Sequence, residues 1–323
     1  MRLNRSNIEQ AQDLLEKTNV SPGEGTYDAD EGLEEFLVAS IKSNAYATIR
    51  IKYEYGEVVV SCSGKRLKTM EFPNYSEEEY RDFCKNFLKM NLDERDNCSQ
   101  SIIIEGIKTR VFSFMKPFVQ LPAPTISTTK IPPSKLDNTT VSDELFDQIV
   151  HSNFIIVGPS GSGKTYLMNY LINRFIRKDE QIVLIEEFLE LIPPNKLCTS
   201  ITCPPPKSDE RSKLRFIVEQ SNLMRLDAIF VGELKGGEAW PFVVNMASGT
   251  RGACTMHGDD AMKALSRLRA LCQIETQNVD AINDFIAKSL NYVIVMKDQK
   301  IVSIEKLTNT HTKGNFALDT VHS

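Results

Sequence analysis

Residues 158–165, Gly158-Pro159-Ser160-Gly161-Ser162-Gly163-Lys164-Thr165, satisfy G-x-x-x-x-G-K-[ST] at every fixed position. Glycines at those places let the backbone curl with its N–H groups pointing inward, which makes a cradle for phosphate oxygens. The apolar run FIIV precedes the loop, and a stretch carrying Leu167, Leu171 and Ile172 at helical spacing follows it. A strand before and a helix after is the setting this chemistry needs, because the helix adds the positive end of its dipole to the cradle. Lys164 is expected to reach the β- and γ-phosphates of ATP, and the Thr165 hydroxyl to ligate Mg²⁺.

Two acidic positions downstream suit hydrolysis of that nucleotide. The apolar run Ala228–Gly232 ends in Glu233, at a strand end where an acid orients or deprotonates the attacking water and helps hold the magnesium shell. The run IVLI ends in Glu186 and Glu187, with Glu190 three residues on. In a parallel sheet these strand ends share the crevice with the phosphate loop, so at least one of the three is expected at the γ-phosphate or its metal, Glu187 being assigned as a metal ligand. His257 follows the run ACTM, a further strand end, from which it can sense the γ-phosphate or bind a neighbouring acid. Asp259-Asp260 are expected to cap the next helix.

The elements that must position these groups fall into two regions. Ser6-x-x-Glu9 has capping-box spacing and opens an amphipathic helix over 6–18, with a second helix at 31–43. Alternation at Ala47–Tyr53 and the run EVVVSCS predict a hairpin turning at Tyr55-Gly56; RLKTMEF adds a strand, Ser76-x-x-Glu79 opens a helix, and SIIIEGIKTRVFSF predicts a hairpin turning at Glu105-Gly106. Residues 1–116 are thus an α+β domain. Residues 117–138 are rich in Pro, Thr and Ser and predict an extended linker. From 139 to 323 strands and helices alternate: FIIV, a helix from Lys164, IVLIE, a helix near 209–222, AIFVG, a helix near 237–247, ACTMH, a helix near 279–290 and the hairpin YVIVMKDQKIVSIEKL. That pattern predicts an α/β domain with a mostly parallel sheet covered by helices on both faces.

Composition narrows the function classes. With 323 residues, 41% hydrophobic and 25% charged, the chain is a globular protein with room for two domains. No run approaches the roughly 18 apolar residues of a membrane span, and MRLNRSNIEQ lacks the apolar core of a secretory signal, so a cytoplasmic protein is expected. The seven cysteines, Cys62, Cys84, Cys98, Cys198, Cys203, Cys254 and Cys272, contain no C-x-x-C pair and are expected as packed thiols. A net charge of −5 with no basic block favours protein partners over nucleic acid, and no sequence-specific nucleic-acid binding is expected.

Four blocks together resemble the secretion ATPase superfamily that powers type II secretion, type IV secretion and type IV pili. They are GPSGSGKT, the acidic IEEFLEL, RLDAIFVGELKGGEAW with Glu233, and SGTRGACTMHGDDAMKALSRL with His257. They occur in the family's order between residues 153 and 270, and Trp240 and the string T-x-H-G bring them nearest to the type IV secretion and conjugation branch. The resemblance implies a RecA-like P-loop ATPase domain after a smaller α+β domain, ATP and Mg²⁺ as ligands, a homo-hexameric ring, and apparatus proteins as partners at the cytoplasmic face of the inner membrane. The implied function is a motor that drives assembly or substrate transfer; a type II secretion or pilus motor, a scaffold gated by nucleotide, and a nucleic-acid translocase are the alternatives. KTRVFSFMKPF and TISTTKIPP look like the end of the branch's N-terminal domain, whose cations close over the nucleotide, a role that falls to Arg110 and Lys130. The chain departs from the family in having Glu186-Glu187 for Glu-Asp, Lys235 for an arginine, a shorter SNLMRLD that keeps only Arg225 and has Leu226 for proline, and Thr250 for a second histidine.

Overall fold

The computed structural model describes residues 32–42, 48–54, 56–63, 68–94, 97–117, 119–128, 136, 139–188, 190–203, 213–312 and 315–323. The helix expected at 6–18 lies outside them. The chain divides into two compact units, Met1–Lys130 and Ile131–Ser323.

In the first unit the predicted second helix is α1 (Leu33–Lys42), and the first hairpin is β1 (Thr48–Glu54) with β2 (Glu57–Ser63), turning at Gly56 with φ +88°. β3 (Lys68–Phe72) continues the sheet. The capping box is formed: Ser76 Oγ accepts from Glu79 N at 3.2 Å, Ser76 N donates to Glu79 Oε2 at 2.8 Å, and α2 (Glu77–Asp82) follows, running on into one wide turn at Phe83–Phe87. β4 (Asn97–Ile104) and β5 (Ile107–Phe114) pair through Glu105 and Gly106, both at positive φ. The segment expected to be linker supplies a further strand, β6 (Thr125–Thr128), which lies between β1 and β5 with Ile126 fully buried. Two rows of backbone partners and one buried isoleucine outweigh the composition of that stretch. The six strands run β3-β2-β1-β6-β5-β4, all antiparallel, and α1, α2 and the wide turn contribute Leu33, Leu37, Tyr80 and Phe83 to the core on the sheet.

The second unit opens with α3 (Asp143–Val150), capped by Ser142 Oγ accepting from Leu145 N. Then come β7 (Phe154–Val157), α4 (Lys164–Phe175), β8 (Ile182–Glu186), β9 (Thr199–Thr202), α5 (Lys213–Gln220), β10 (Ala228–Val231), α6 (Ala239–Ala247), β11 (Arg251–Met256), α7 (Ala261–Cys272), α8 (Val279–Ser289), β12 (Tyr292–Lys297), β13 (Lys300–Thr312) and β14 (Asn315–His322). The sheet order is β14-β13-β12-β7-β11-β10-β8-β9, parallel from β12 to β9 and antiparallel in the outer pairs β12-β13 and β13-β14.

Parity along each strand explains the layers. Phe154 and Ile156 of β7, Ile182 and Leu184 of β8, and Phe230 of β10 share a core with Phe146 and Ile149 of α3 and Leu167, Met168 and Leu171 of α4. Ile155, Val157, Val183, Ile185, Ile229 and Val231 share the other core with Val218 of α5, Phe242 of α6, Leu265 and Leu268 of α7 and Ile282 and Ile286 of α8. The unit is therefore an α/β layer structure with helices on both faces of a mostly parallel sheet. Among the described residues no helix is long and apolar enough to cross a membrane.

Candidate active site

The phosphate loop joins β7 to α4. Gly161 and Gly163 take φ +74° and +92°, and Gly163 stands at the N-cap with no side-chain bond to the first helical amides. A cap without a side chain leaves room beside those amides for an outside acceptor, which is the property of an anion cradle. Gly158 has no room for a Cβ, which would overlap Met296 O and lie 2.5 Å from Ser162 Oγ. Met296 belongs to β12, and across the β12–β13 turn Gln299 Cα lies 3.6 Å from where a Cβ on Gly163 would sit. The loop thus rests on a neighbouring strand and its turn.

Lys164 is only 8% exposed, and its Nζ donates to Gly158 O at 2.9 Å and Pro159 O at 2.8 Å. Burial lowers its pKa, with the carboxylates of Glu233 and Glu190 opposing the shift. Ser162 Oγ is buried with no hydrogen-bond partner. An uncapped helix end, a buried ammonium satisfied by loop carbonyls alone and an orphaned hydroxyl fit a bound polyphosphate. Thr165 is partly buried in the first turn of α4, while Pro159 and Ser160 are exposed at the tip.

The strand order decides how the acids face this loop. β11 lies between β7 and β10, so the end of β10 stands two strand spacings, about 9–10 Å, from the strand that feeds the loop. That gap suits a terminal phosphate and a water between loop and acid. Glu233 follows β10 after Gly232, whose backbone passes so close to Glu186 that an added Cβ would lie 3.0 Å from Glu186 Cβ. Thr255 Oγ1, on β11, donates to Gly232 O at 2.6 Å, and Leu234 N donates to Thr255 O at 2.9 Å, which fixes the main chain on both sides of Glu233.

His257, one residue past β11, brings Nε2 to 3.0 Å from Glu233 Oε1. Of the two roles open to it from sequence, this is the contact with a neighbouring acid. Lys235 Nζ is bonded to Glu187 Oε2 and lies 3.6 Å from Glu233 Oε2. Glu187, Glu233, Lys235 and His257 therefore form one chain of polar contacts across the ends of β8, β10 and β11. All the anionic atoms are carboxylate oxygens, the donor type that hard divalent cations take.

Glu186, expected from sequence as a catalytic group, turns one of its oxygens to the backbone. It is 3% exposed, and its Oε2 accepts from Glu190 N and Leu191 N, both at 2.9 Å. That oxygen is committed to shaping the loop that carries Glu187 and Glu190, where the Glu190 amide also donates to Phe188 O at 2.8 Å. Asn169 of α4 adds to the same loop, donating to Glu190 O and accepting from Ile192 N. Asp260 caps α7 as expected, Oδ1 accepting from Lys263 N at 2.8 Å. Arg110 lies on β5 of the first unit, opposite Ser101 and Ser127, and Lys130 is outside the described residues.

Thr255, Asn169 and Glu238 are site residues for which sequence offered no assignment, and Lys235 entered the sequence reading only as the residue standing in an arginine's place. Glu238 is 2% exposed, and its Oε1 accepts from Lys235 N at 2.7 Å and Gly236 N at 2.8 Å. The signal for it was an acid directly after Gly236-Gly237 at a helix start.

Residues 134–315 match the family described as "Type II/IV secretion system protein". Among curated proteins, VirB11 of Agrobacterium fabrum is 27% identical over 150 residues, covering 43% of this chain and 42% of that protein. The type IV secretion system protein VirB11 of Bartonella henselae is 33% identical over 125 residues, covering 37% of this chain and 34% of that protein. The match thus spans well under half the length of these relatives. Among solved structures, the ATPase DotB of Legionella pneumophila superposes with a TM-score of 0.61 at 17% identity, over 88% of this chain and 79% of that one. The pilus retraction motor PilT with bound ADP gives 0.57 at 16% identity, over 89% and 81%. At such identities these two likenesses are of fold.

Proposed function

Because the chain belongs to the type II/IV secretion system protein family, we propose that it is an ATP-hydrolysing motor of a type IV secretion or conjugation-like system. The observation that carries the reading is the loop at 158–165: a buried Lys164 ammonium and an uncapped helix start, with Glu233 two strand spacings away. Each part has its use. Lys164 exchanges its two loop carbonyls for β- and γ-phosphate oxygens, the loop amides hold the phosphates, and Ser162 gains a partner. Thr165, Glu187 and Glu233 would hold magnesium, directly or through water, and the metal when bound neutralises charge on the β- and γ-oxygens. Glu233 orients the attacking water and takes its proton as the new bond to the γ-phosphorus forms and the β–γ bridge breaks, releasing ADP and phosphate. His257 holds Glu233 in place for that transfer.

Sequence likeness to VirB11 proteins, together with Trp240 and the string T-x-H-G, supports the type IV branch over a pilus motor. The proposal includes a homo-hexameric ring at the cytoplasmic face of a membrane apparatus, in which phosphate chemistry is converted into motion. Calorimetry with Mg-ATP, phosphate release and native mass spectrometry test the reading together. Association, turnover and a six-fold mass support it; no heat of association with folded protein removes it.

A further inference from the structure

The Lys235 ammonium sits between carboxylates that come from two different strand ends, Glu187 beyond β8 and Glu233 beyond β10. Its main chain is held independently: Lys235 N and Gly236 N both donate to Glu238 Oε1, and Glu238 is buried. Only the side-chain stem is left to move. The Glu187 side chain is 16% exposed and that of Glu233 31%, so their mutual repulsion is incompletely screened by water, and the ammonium offsets it.

We propose that Lys235 is a resident cation for the magnesium site: its ammonium neutralises Glu187 and Glu233 in the nucleotide-free chain and yields them when a divalent cation arrives with the triphosphate. This rests on the proposed ATPase reading of the same residues. The ammonium is a compact point charge on a flexible stem, without the two-pronged grip of a guanidinium, so it releases a carboxylate one contact at a time. Hard divalent cations take several oxygens at once and compete well for such a pair. A bare divalent ion must nevertheless displace a tethered charge that is always present, so the free chain holds such ions weakly. The negative charge of the triphosphate tips the exchange, drawing Lys235 away and bringing the metal in. Metal occupancy then depends on nucleotide, and the acids are not captured by free cations between turnovers.

The test is a Mn²⁺ titration of the nucleotide-free full chain by electron paramagnetic resonance, comparing wild type with Lys235→Met, Lys235→Ala and Lys235→Arg. Removing the unit charge is expected to tighten Mn²⁺ binding about tenfold or more in the Met and Ala variants. Lys235→Arg, which keeps the charge and adds the two-pronged grip, should bind Mn²⁺ no tighter than wild type, and adding Glu187→Gln to Lys235→Met should abolish the gain. The Lys235 side chain is 43% exposed, so these variants are expected to keep the wild-type melting midpoint. Wild-type Mn²⁺ affinity in a folded Met or Ala variant overturns the proposal. Failure of the ATPase reading shows separately, as absent Mg-ATP binding to the wild-type chain.

Discussion

His257 Nε2 lies 3.0 Å from Glu233 Oε1, a contact between the residue that follows β11 and the residue that follows β10. The two strands are neighbours in register, Val231 opposite Cys254, so the pair is set by main-chain geometry before either side chain chooses a rotamer. Replacing Glu233 by Gln keeps the shape and removes the base. Mg-ATP binding should persist while phosphate release falls about 10²- to 10⁴-fold. Wild-type turnover in that variant would take Glu233 out of the reaction.

His257→Ala removes the group that orients Glu233 and leaves the phosphate loop untouched. The expected result is a loss of about 10- to 100-fold in kcat with little change in KM for ATP. A rise in KM alone, seen in steady-state phosphate release, would instead assign His257 to nucleotide binding.

Lys164 links function to stability with opposite signs. Its ammonium is buried and its pKa lowered, so holding that charge costs the empty protein free energy. Lys164→Met is therefore expected to lose nucleotide binding yet to melt no lower than wild type, as followed by circular dichroism without ligand. The pH dependence follows the same sign. Between the lowered folded pKa and the ordinary lysine value the unfolded chain binds more protons, so this group makes the nucleotide-free wild type gain stability as pH rises through that window. The Met variant should lack this gain.

Far from the nucleotide, at the opposite strand ends, Arg251 ties four segments together. Its Nη2 pairs with Glu180, Nη1 donates to Val150 O at 3.0 Å and Nε donates to Asp227 O at 3.4 Å. Glu180 also faces His151 Nε2 at 3.3 Å. The Arg251 and Glu180 side chains are 20% and 11% exposed, so Arg251→Met strands a mostly buried carboxylate. Urea unfolding should show a loss of about 3–5 kcal/mol, with ATP binding to the folded fraction retained.

The thiols make a simple check of the fold. Cys62, Cys84, Cys98, Cys203, Cys254 and Cys272 are buried, and only Cys198 is partly exposed. Burial pushes the Cys84 and Cys272 thiols up to about 12 and Cys98 up to about 11. Iodoacetamide at neutral pH should modify Cys198 first, with the other six protected until denaturant is added, as read by mass spectrometry of the intact chain.

How much of this was legible in the sequence differs from element to element. The Ser76 capping box, the turns at Gly56 and Glu105-Gly106 and the phosphate loop were legible because each depends on residues within a few positions of one another. Thr125–Thr128 was not: four residues among prolines become a strand because β1 and β5 both offer partners, a fact about distant parts of the chain. β14 is similar, defined by its pairing with β13. Asp143–Val150, assigned no element from sequence, carried its signal in the Ser142 cap and the spacing of Phe146, Ile149 and Val150. The acids after β8 show the limit within the site. Spacing placed Glu186, Glu187 and Glu190 at one strand end, but which carboxylate turns inward is settled by the amides of Glu190 and Leu191, which claim Glu186.

The seat of the phosphate loop on β12 has a mechanical corollary. Because Gly158 touches Met296 and Gly163 abuts the turn at Gln299, the loop cannot tilt without pushing the ribbon formed by β12, β13 and β14. Loop and ribbon share that contact, so bulk added at Gly158 is expected to press on β12 and unsettle the place where the phosphates sit.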